Sequence, residues 1–292
     1  MVQALRRKSK PHSSNLIFFL LHQMLVPSKP FLATVLASSI IFQGELNFEL
    51  GNGSVKLQNP IEVQGIRLKD PQFLGAGGGG AVFAYSRIND SSGGGSNDVA
   101  VKVSWLRSTA SVLNECKILQ ELETNHVTGV EVCLGSLEYP DDPRRAIIVM
   151  EPVIDNAVSS LSEIPSKFQP QAVDQLIRTM IQMLAANIVT TDVQPLISPT
   201  TGQVILIDMT EAKAMKSPLS FVDLALVSSF CTEIISLIPE NLLDVASTSL
   251  LSEMKKIEEN GTHLPNEVYK ILQSQSILSP AVMEYLDKMA LQ

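Results

Sequence analysis

The densest run of chemically suggestive residues is Leu74-Gly75-Ala76-Gly77-Gly78-Gly79-Gly80-Ala81-Val82-Phe83. Glycines spaced as Gly75, Gly77 and Gly80, with Val82 behind them, let a backbone approach phosphate oxygens and turn its amides toward them. A glycine run is equally consistent with a linker, and the same spacing opens dinucleotide-binding helices. The residues immediately C-terminal to the run separate these readings. Ala81-Val82-Phe83-Ala84-Tyr85 alternates and is β-prone, so the loop joins two strands instead of opening a helix. That disfavours a dinucleotide-dependent oxidoreductase.

A second alternating stretch, Asp98-Val99-Ala100-Val101-Lys102-Val103, places the three valines on one face and Ala100 with Lys102 on the other. A strand lysine taken alone is usually a solvated one. Behind a glycine loop it becomes a candidate phosphate ligand. Ala110 to Thr124 then has Val112, Ile118, Leu119 and Leu122 at helical spacing. Glu115, Glu121 and Glu123 are the carboxylates of that helix, and acidic residues on helix surfaces are common. Two aspartates stand at the ends of apolar stretches: Asp192 after Asn187-Ile188-Val189, and Asp208 after Val204-Ile205-Leu206-Ile207.

In this order and in these contexts the segments resemble the protein kinase superfamily, over about residues 66 to 240. Gly75, Gly77, Gly80 and Val82 match its glycine-rich loop, and Val99-Ala100-Val101-Lys102 matches its V-A-I-K strand. The resemblance implies that Lys102 pairs the α/β-phosphates of ATP and that Glu115 orients it. Ala146-Ile147-Ile148-Val149-Met150-Glu151-Pro152-Val153 is similar to the last strand and hinge of the small lobe. Met150 would then sit at the back of the nucleotide pocket, with Glu151 to Val153 meeting the adenine through their backbone. Asp192 aligns with the catalytic aspartate and Asp208 with the magnesium ligand.

The later motifs depart from the family. Thr190 and Thr191 stand where it has His and Arg, and Gln194 where it commonly has Lys. Ile197, which has no oxygen for a hard cation, falls where a second metal-binding Asn is expected. Met209 and Thr210 replace the Phe and Gly of D-F-G. Met suits an apolar slot; Thr lacks glycine's backbone freedom. Phe221 to Val227 resembles the buried central helix of the large lobe, with Asp223 near its start. Asp223 lies fifteen residues beyond Asp208, about half of what an activation segment with A-P-E requires, and no A-P-E occurs.

Three functional readings result: an ATP-dependent phosphotransferase acting on a protein Ser/Thr hydroxyl or on a small molecule, a catalytically impaired pseudokinase regulating a partner through nucleotide-dependent conformation, and a nucleotide-free interaction module. ATP and magnesium are the expected cofactors for the first. The protein substrate or partner is not identified by the sequence.

The elements that must position these residues are read from period and length. The expected class is α+β, as a two-lobed protein-kinase-like fold: a β-rich N-lobe with one helix over 45–150 and a mainly helical C-lobe with a shortened activation segment over 151–292. Leu46 to Leu57 reads as a hairpin about Gly51-Asn52-Gly53. Val127 to Leu137 and Arg145 to Val149 read as strands. Gln171 to Ala186 is a strongly amphipathic helix. Three more helices are expected at Leu242 to Glu258, Pro265 to Gln273 and Ser279 to Leu291.

Residues 1–44 form a basic leader with no acidic residue before Glu45. Its two apolar runs are each shorter than the ~20 residues of a spanning helix. It is similar to an organelle transit segment (plastid or mitochondrion), with a secretory signal, a membrane anchor or an uninformative extension as alternatives; the last leaves a cytoplasmic protein. The 292 residues carry a net charge of −8 and a pI near 5.1, which argues against a nucleic-acid surface. Cys116, Cys133 and Cys231 lack paired spacing and are expected as separate buried hydrophobes, not as a disulfide framework or a zinc site.

Overall fold

The computed structural model describes residues 44–50, 53–77, 80–88, 98–104, 109–138, 146–151, 154, 156–275 and 278–290. These lie within one compact unit, Phe42–Gln292. The basic leader up to residue 43, the Ser91–Ser96 stretch and the hinge residue Val153 fall outside the described residues.

The chain is α+β, with a mostly antiparallel sheet and several helices. Strands β1 (Gly44–Leu50) and β2 (Gly53–Asn59) pair as a hairpin about the glycine turn, with Leu50 opposite Gly53. The main sheet holds β3 (Ile61–Val63), β4 (Ile66–Gly77), β5 (Gly80–Arg87), β6 (Asp98–Ser104), β7 (Val132–Glu138) and β8 (Ala146–Glu151). Its order is β3-β4-β5-β6-β8-β7, antiparallel throughout. Period-two alternation gives each strand two chemistries. Val99, Val101 and Val103 bury on one face with Phe83, Tyr85, Ile147 and Val149. Ala100, Ala146, Ile148 and Met150 bury on the other, against Val112, Ile118, Leu119 and Leu122 of helix α1 (Thr109–Thr124).

Two expectations are corrected by the fold. Only Val132–Glu138 of the stretch from Val127 is a named strand in the main sheet. The residues before it run instead beside a later strand: Leu206 donates to the Gly129 carbonyl, and the Glu131 amide donates to the Leu206 carbonyl. Secondly, Cys116 of α1 and Cys133 of β7 form a disulfide, with Cα atoms 5.4 Å apart. Helix and strand meet because the chain reverses between them, and a separation of 17 residues leaves no spacing signature of that reversal. Cys231 alone is a buried free thiol, its pKa pushed up to about 12 by burial.

In the second half, α2 (Gln169–Ala185) buries Val173, Leu176, Ile177, Met180, Ile181 and Leu184, the stripe its periodicity predicts. Two short ladders come next: β9 (Ile188–Val189) pairs β12 (Lys213–Ala214), and β10 (Gln194–Ile197) pairs β11 (Val204–Ile207). Helices α3 (Phe221–Ser236), α4 (Leu243–Glu259), α5 (Asn266–Gln273) and α6 (Pro280–Met289) complete the described chain. The expected burial of the start of α3 is also corrected. Phe221 is 86% exposed and Val222 63%, and burial begins only at Val227, Phe230, Cys231 and Ile234. A capping box between Ser220 and Asp223 satisfies backbone amides of this first turn. Among the described residues no single helix is long and apolar enough to cross a membrane.

Candidate functional site

The site begins with strand register. Pairing of β5 with β6 sets Val82 opposite Lys102, and pairing of β6 with β8 sets Ala100 opposite Met150 and Lys102 opposite Ile148. Ala100 and Met150 are buried, and Val82 packs partly buried against their cluster. Lys102 therefore emerges from an apolar wall with its ammonium at the edge of α1.

There it meets Glu115. The Lys102 Nζ donates to Glu115 Oε1 at 2.9 Å and Oε2 at 3.0 Å, and the Glu115 side chain is completely buried. Helical period explains the choice of this carboxylate. Glu115 shares the buried side of α1 with Val112, Leu119 and Leu122, whereas Glu121 pairs Lys117 at 3.8 Å and Glu123 is exposed. A second carboxylate arrives from the far end of the chain: Lys102 Nζ donates to Asp208 Oδ1 at 2.7 Å. A third contact is Thr210 Oγ1 at 3.2 Å. An ammonium has three donors, so these three groups satisfy it.

The pKa of each partner in the pair is raised, for opposite reasons. Burial disfavours the Lys102 ammonium, but the charges of Glu115 and Asp208 outweigh it and hold its pKa above the ordinary lysine value. Burial pushes the Glu115 carboxyl up, against the opposing pull of Lys102, and Asp208 adds to the rise.

Two members of this cluster lie outside the candidates that the sequence offers. Thr210 enters there only as a departure from D-F-G. It lies in the short turn Met209–Glu211, and its hydroxyl also donates to Glu115 Oε2 at 3.3 Å and bonds Asp208 Oδ1. Its neighbour Met209 is fully buried in the apolar slot. Glu131 is not marked by any motif, although a carboxylate within Val130-Glu131-Val132-Cys133-Leu134 interrupts an otherwise apolar run. It is buried, and its Oε2 accepts the Asp208 amide at 3.3 Å. Desolvation, then the charge of Glu115, push its pKa up to about 8.

The glycine loop divides by function. At Gly80 an added Cβ would lie 2.3 Å from the Val103 carbonyl, so the close approach of β5 to β6 requires glycine there. At Gly75 a Cβ would meet nothing within 4 Å. Gly75 thus faces open space, the property a loop over a ligand needs. Gly77 ends β4, and residues 78–79 at the tip fall outside the described residues.

At the other edge, the Glu151 side chain is held by Arg87 at 2.6 Å, which ties the end of β8 to β5. Asp192 bonds within its own turn. Its amide donates to the buried Thr190 hydroxyl at 3.2 Å, and Gln194 Nε2 donates to Asp192 Oδ2 at 2.7 Å. Thr190 is thus a turn organiser. Burial alternates along β10, so Gln194 and Leu196 are half-buried on one side while Ile197 is fully buried on the other. Ile197 is a core residue, paired with Val204.

Among the described residues no group of three His, Cys, Asp or Glu side chains is placed to hold a metal ion by itself. A cation carried in by a nucleotide needs less: one or two carboxylates beside the phosphates. Asp208, a hard oxygen donor with 26% of its side chain exposed, meets that requirement. A depression of about 320 Å³ lined by Asp174, Asp244, Val245, Thr248 and Ser249 shares no residue with this site. No known protein family matches this chain in a scan of family profiles, and no curated protein matches it.

Proposed function

We propose that this chain is a divergent protein-kinase-like protein that binds ATP over the Lys102 cluster, with its β-rich first half and helical second half as the two lobes. The observation that carries this reading is the bidentate Lys102–Glu115 pair, with Asp208 on the same ammonium. A clamp for phosphates needs a fixed cation, a carboxylate to hold it, and a second carboxylate able to exchange its ion pair for a metal. Val82, Ala100 and Met150 would receive the adenine, and Gly75 and Gly77 would lie above the phosphates. Magnesium, held by Asp208 and the nucleotide, would neutralise phosphate charge. Glu115 would keep Lys102 in place once Asp208 turned away.

Transfer of the γ-phosphate to a protein Ser/Thr hydroxyl is the activity such a site would support. Asp192 would accept or orient the hydroxyl proton, with Gln194 fixing the carboxylate's direction. A second reading, a pseudokinase whose nucleotide regulates a partner, is favoured by one observation. Ile197 is buried in the core and offers no oxygen to a second cation, so transition-state charge would be less well stabilised.

Thermal unfolding of the full chain with ATP, with and without magnesium, tests the site. Ligand at about 100 times its dissociation constant stabilises by ~2.7 kcal/mol. The expected result is a magnesium-dependent rise in Tm that Lys102→Met loses. No rise at millimolar ATP in either protein would overturn the reading and leave the interaction module.

A further inference from the structure

We infer that Glu131 is a positioning residue, whose carboxylate takes over the backbone pairing of β11 at Asp208 and so aims the Asp208 side chain at Lys102. The inference rests on the nucleotide-site reading for its consequence, and on backbone geometry for its substance.

The geometry is a ladder that stops one rung short. Val130 and Leu206 form a parallel bridge. Its two rungs are the Leu206 amide to the Gly129 carbonyl, 2.8 Å, and the Glu131 amide to the Leu206 carbonyl, 3.2 Å. In a parallel ladder the next rung would join the Asp208 amide to the Glu131 carbonyl. Instead the Asp208 amide donates to the Glu131 side chain, Oε2, at 3.3 Å. The chain carrying Glu131 is by then entering β7, and the side chain covers the amide that the backbone has left.

At that rung Asp208 adopts the left-handed conformation, with φ 58° and ψ 60°. A non-glycine residue enters this region at some cost and persists there only when its surroundings hold it. Strand pairing continued through Asp208 would keep it extended and send its side chain elsewhere. A side-chain acceptor satisfies the amide without imposing strand geometry. The result is the 2.7 Å contact of Asp208 Oδ1 with Lys102.

A burden accompanies this arrangement. Glu131 is a buried carboxyl next to two other carboxylates, and packing alone would favour an apolar residue at the start of β7. A residue that costs stability and fixes a functional group gives opposite signs in two measurements, which a purely structural residue would not.

The test uses the full chain as wild type, Glu131→Gln and Glu131→Leu. Exchange of the Asp208 amide proton is read by NMR without nucleotide, and magnesium-ATP binding by thermal shift. Glu131→Gln keeps an acceptor oxygen, and both readouts are expected within about threefold of wild type. Glu131→Leu is expected to fold with an unchanged or higher Tm, to exchange the Asp208 amide at least about tenfold faster, and to lose about tenfold or more in magnesium-ATP affinity while magnesium-free ATP binding changes little. Unchanged Asp208 exchange in Glu131→Leu would overturn the inference. If Glu131→Leu fails to fold, the Asp208 amide resonance decides in Glu131→Gln: it moves when the acceptor group is replaced, and an unmoved resonance overturns the inference. Absence of magnesium-ATP binding in wild type would defeat the nucleotide reading, while amide exchange would still judge the geometry.

Discussion

The two aspartates are held in different ways. Asp208 sits where three distant segments converge on its own turn: β6 brings Lys102, α1 brings Glu115 and the approach to β7 brings Glu131, while the turn itself brings Thr210. The disulfide between Cys116 and Cys133 joins the residues beside two of these partners. Asp192 is half-exposed, and among the described residues its hydrogen bonds go to Thr190 and Gln194, a few residues away, with the Glu233 carboxylate near enough to feel its charge. Long-range ties hold the first site, so breaking its buried Lys102–Glu115 pair should cost stability. Local hydrogen bonds hold the second, so disturbing it should cost little stability.

The largest effect is expected at Lys102. Lys102→Met strands a completely buried Glu115 carboxylate, which should cost about 3–5 kcal/mol of unfolding free energy in urea titrations. The double variant Lys102→Met with Glu115→Leu should recover most of that loss. Losses that simply add would show that the two side chains are not coupled. Reduction of the Cys116–Cys133 disulfide ranks next. It releases a loop closed across 17 residues, worth about 3 kcal/mol, and Tm should fall with dithiothreitol in wild type but not in Cys116→Ser.

A smaller effect is a dependence on pH. Glu131 has its folded pKa raised from 4.5 to about 8, so the folded state binds the extra proton between those values. Its contribution is therefore full below about pH 4.5 and lost as pH rises through about 8, on the order of 2 kcal/mol once relaxation of the site is allowed for. Glu131→Gln should flatten that slope in metal-free buffer; an unaltered slope would assign it to another group. The smallest change in stability belongs to Asp192→Asn, within about 0.5 kcal/mol of wild type. If the chain transfers phosphate, that same substitution should abolish incorporation of labelled phosphate. A large loss of stability there would erase the contrast between the two aspartates.

Much of this architecture is legible in the residues, though not evenly. The alternation of Val99, Val101 and Val103 against Ala100 and Lys102 separates onto the two sheet faces. The amphipathic stripe of α2 buries as its period requires. Glu115 is preferred to Glu121 and Glu123 in the sequence by its resemblance to the kinase helix, and the structure buries it beside Val112, Leu119 and Leu122. Glu131 and Thr210 are harder to see. Each becomes part of the site only through a partner roughly 80 to 110 residues away, and neither period nor spacing encodes such a distance. The exposed start of α3 escapes the sequence for a related reason. Phe221 and Val222 are apolar in the sequence, and only the packing of the other elements leaves them exposed.

The sequence alone determined which residues alternate, which repeat at helical spacing, and where glycine permits a close approach, because these depend on local stereochemistry. Only the tertiary structure decided that Lys102 shares its three donors among Glu115, Asp208 and Thr210, that Cys116 faces Cys133, and that Ile197 lies in the core while Gln194 reaches Asp192. Those outcomes depend on which strands pair and in what register. Register is settled by the burial of whole faces at once, so no single residue announces it.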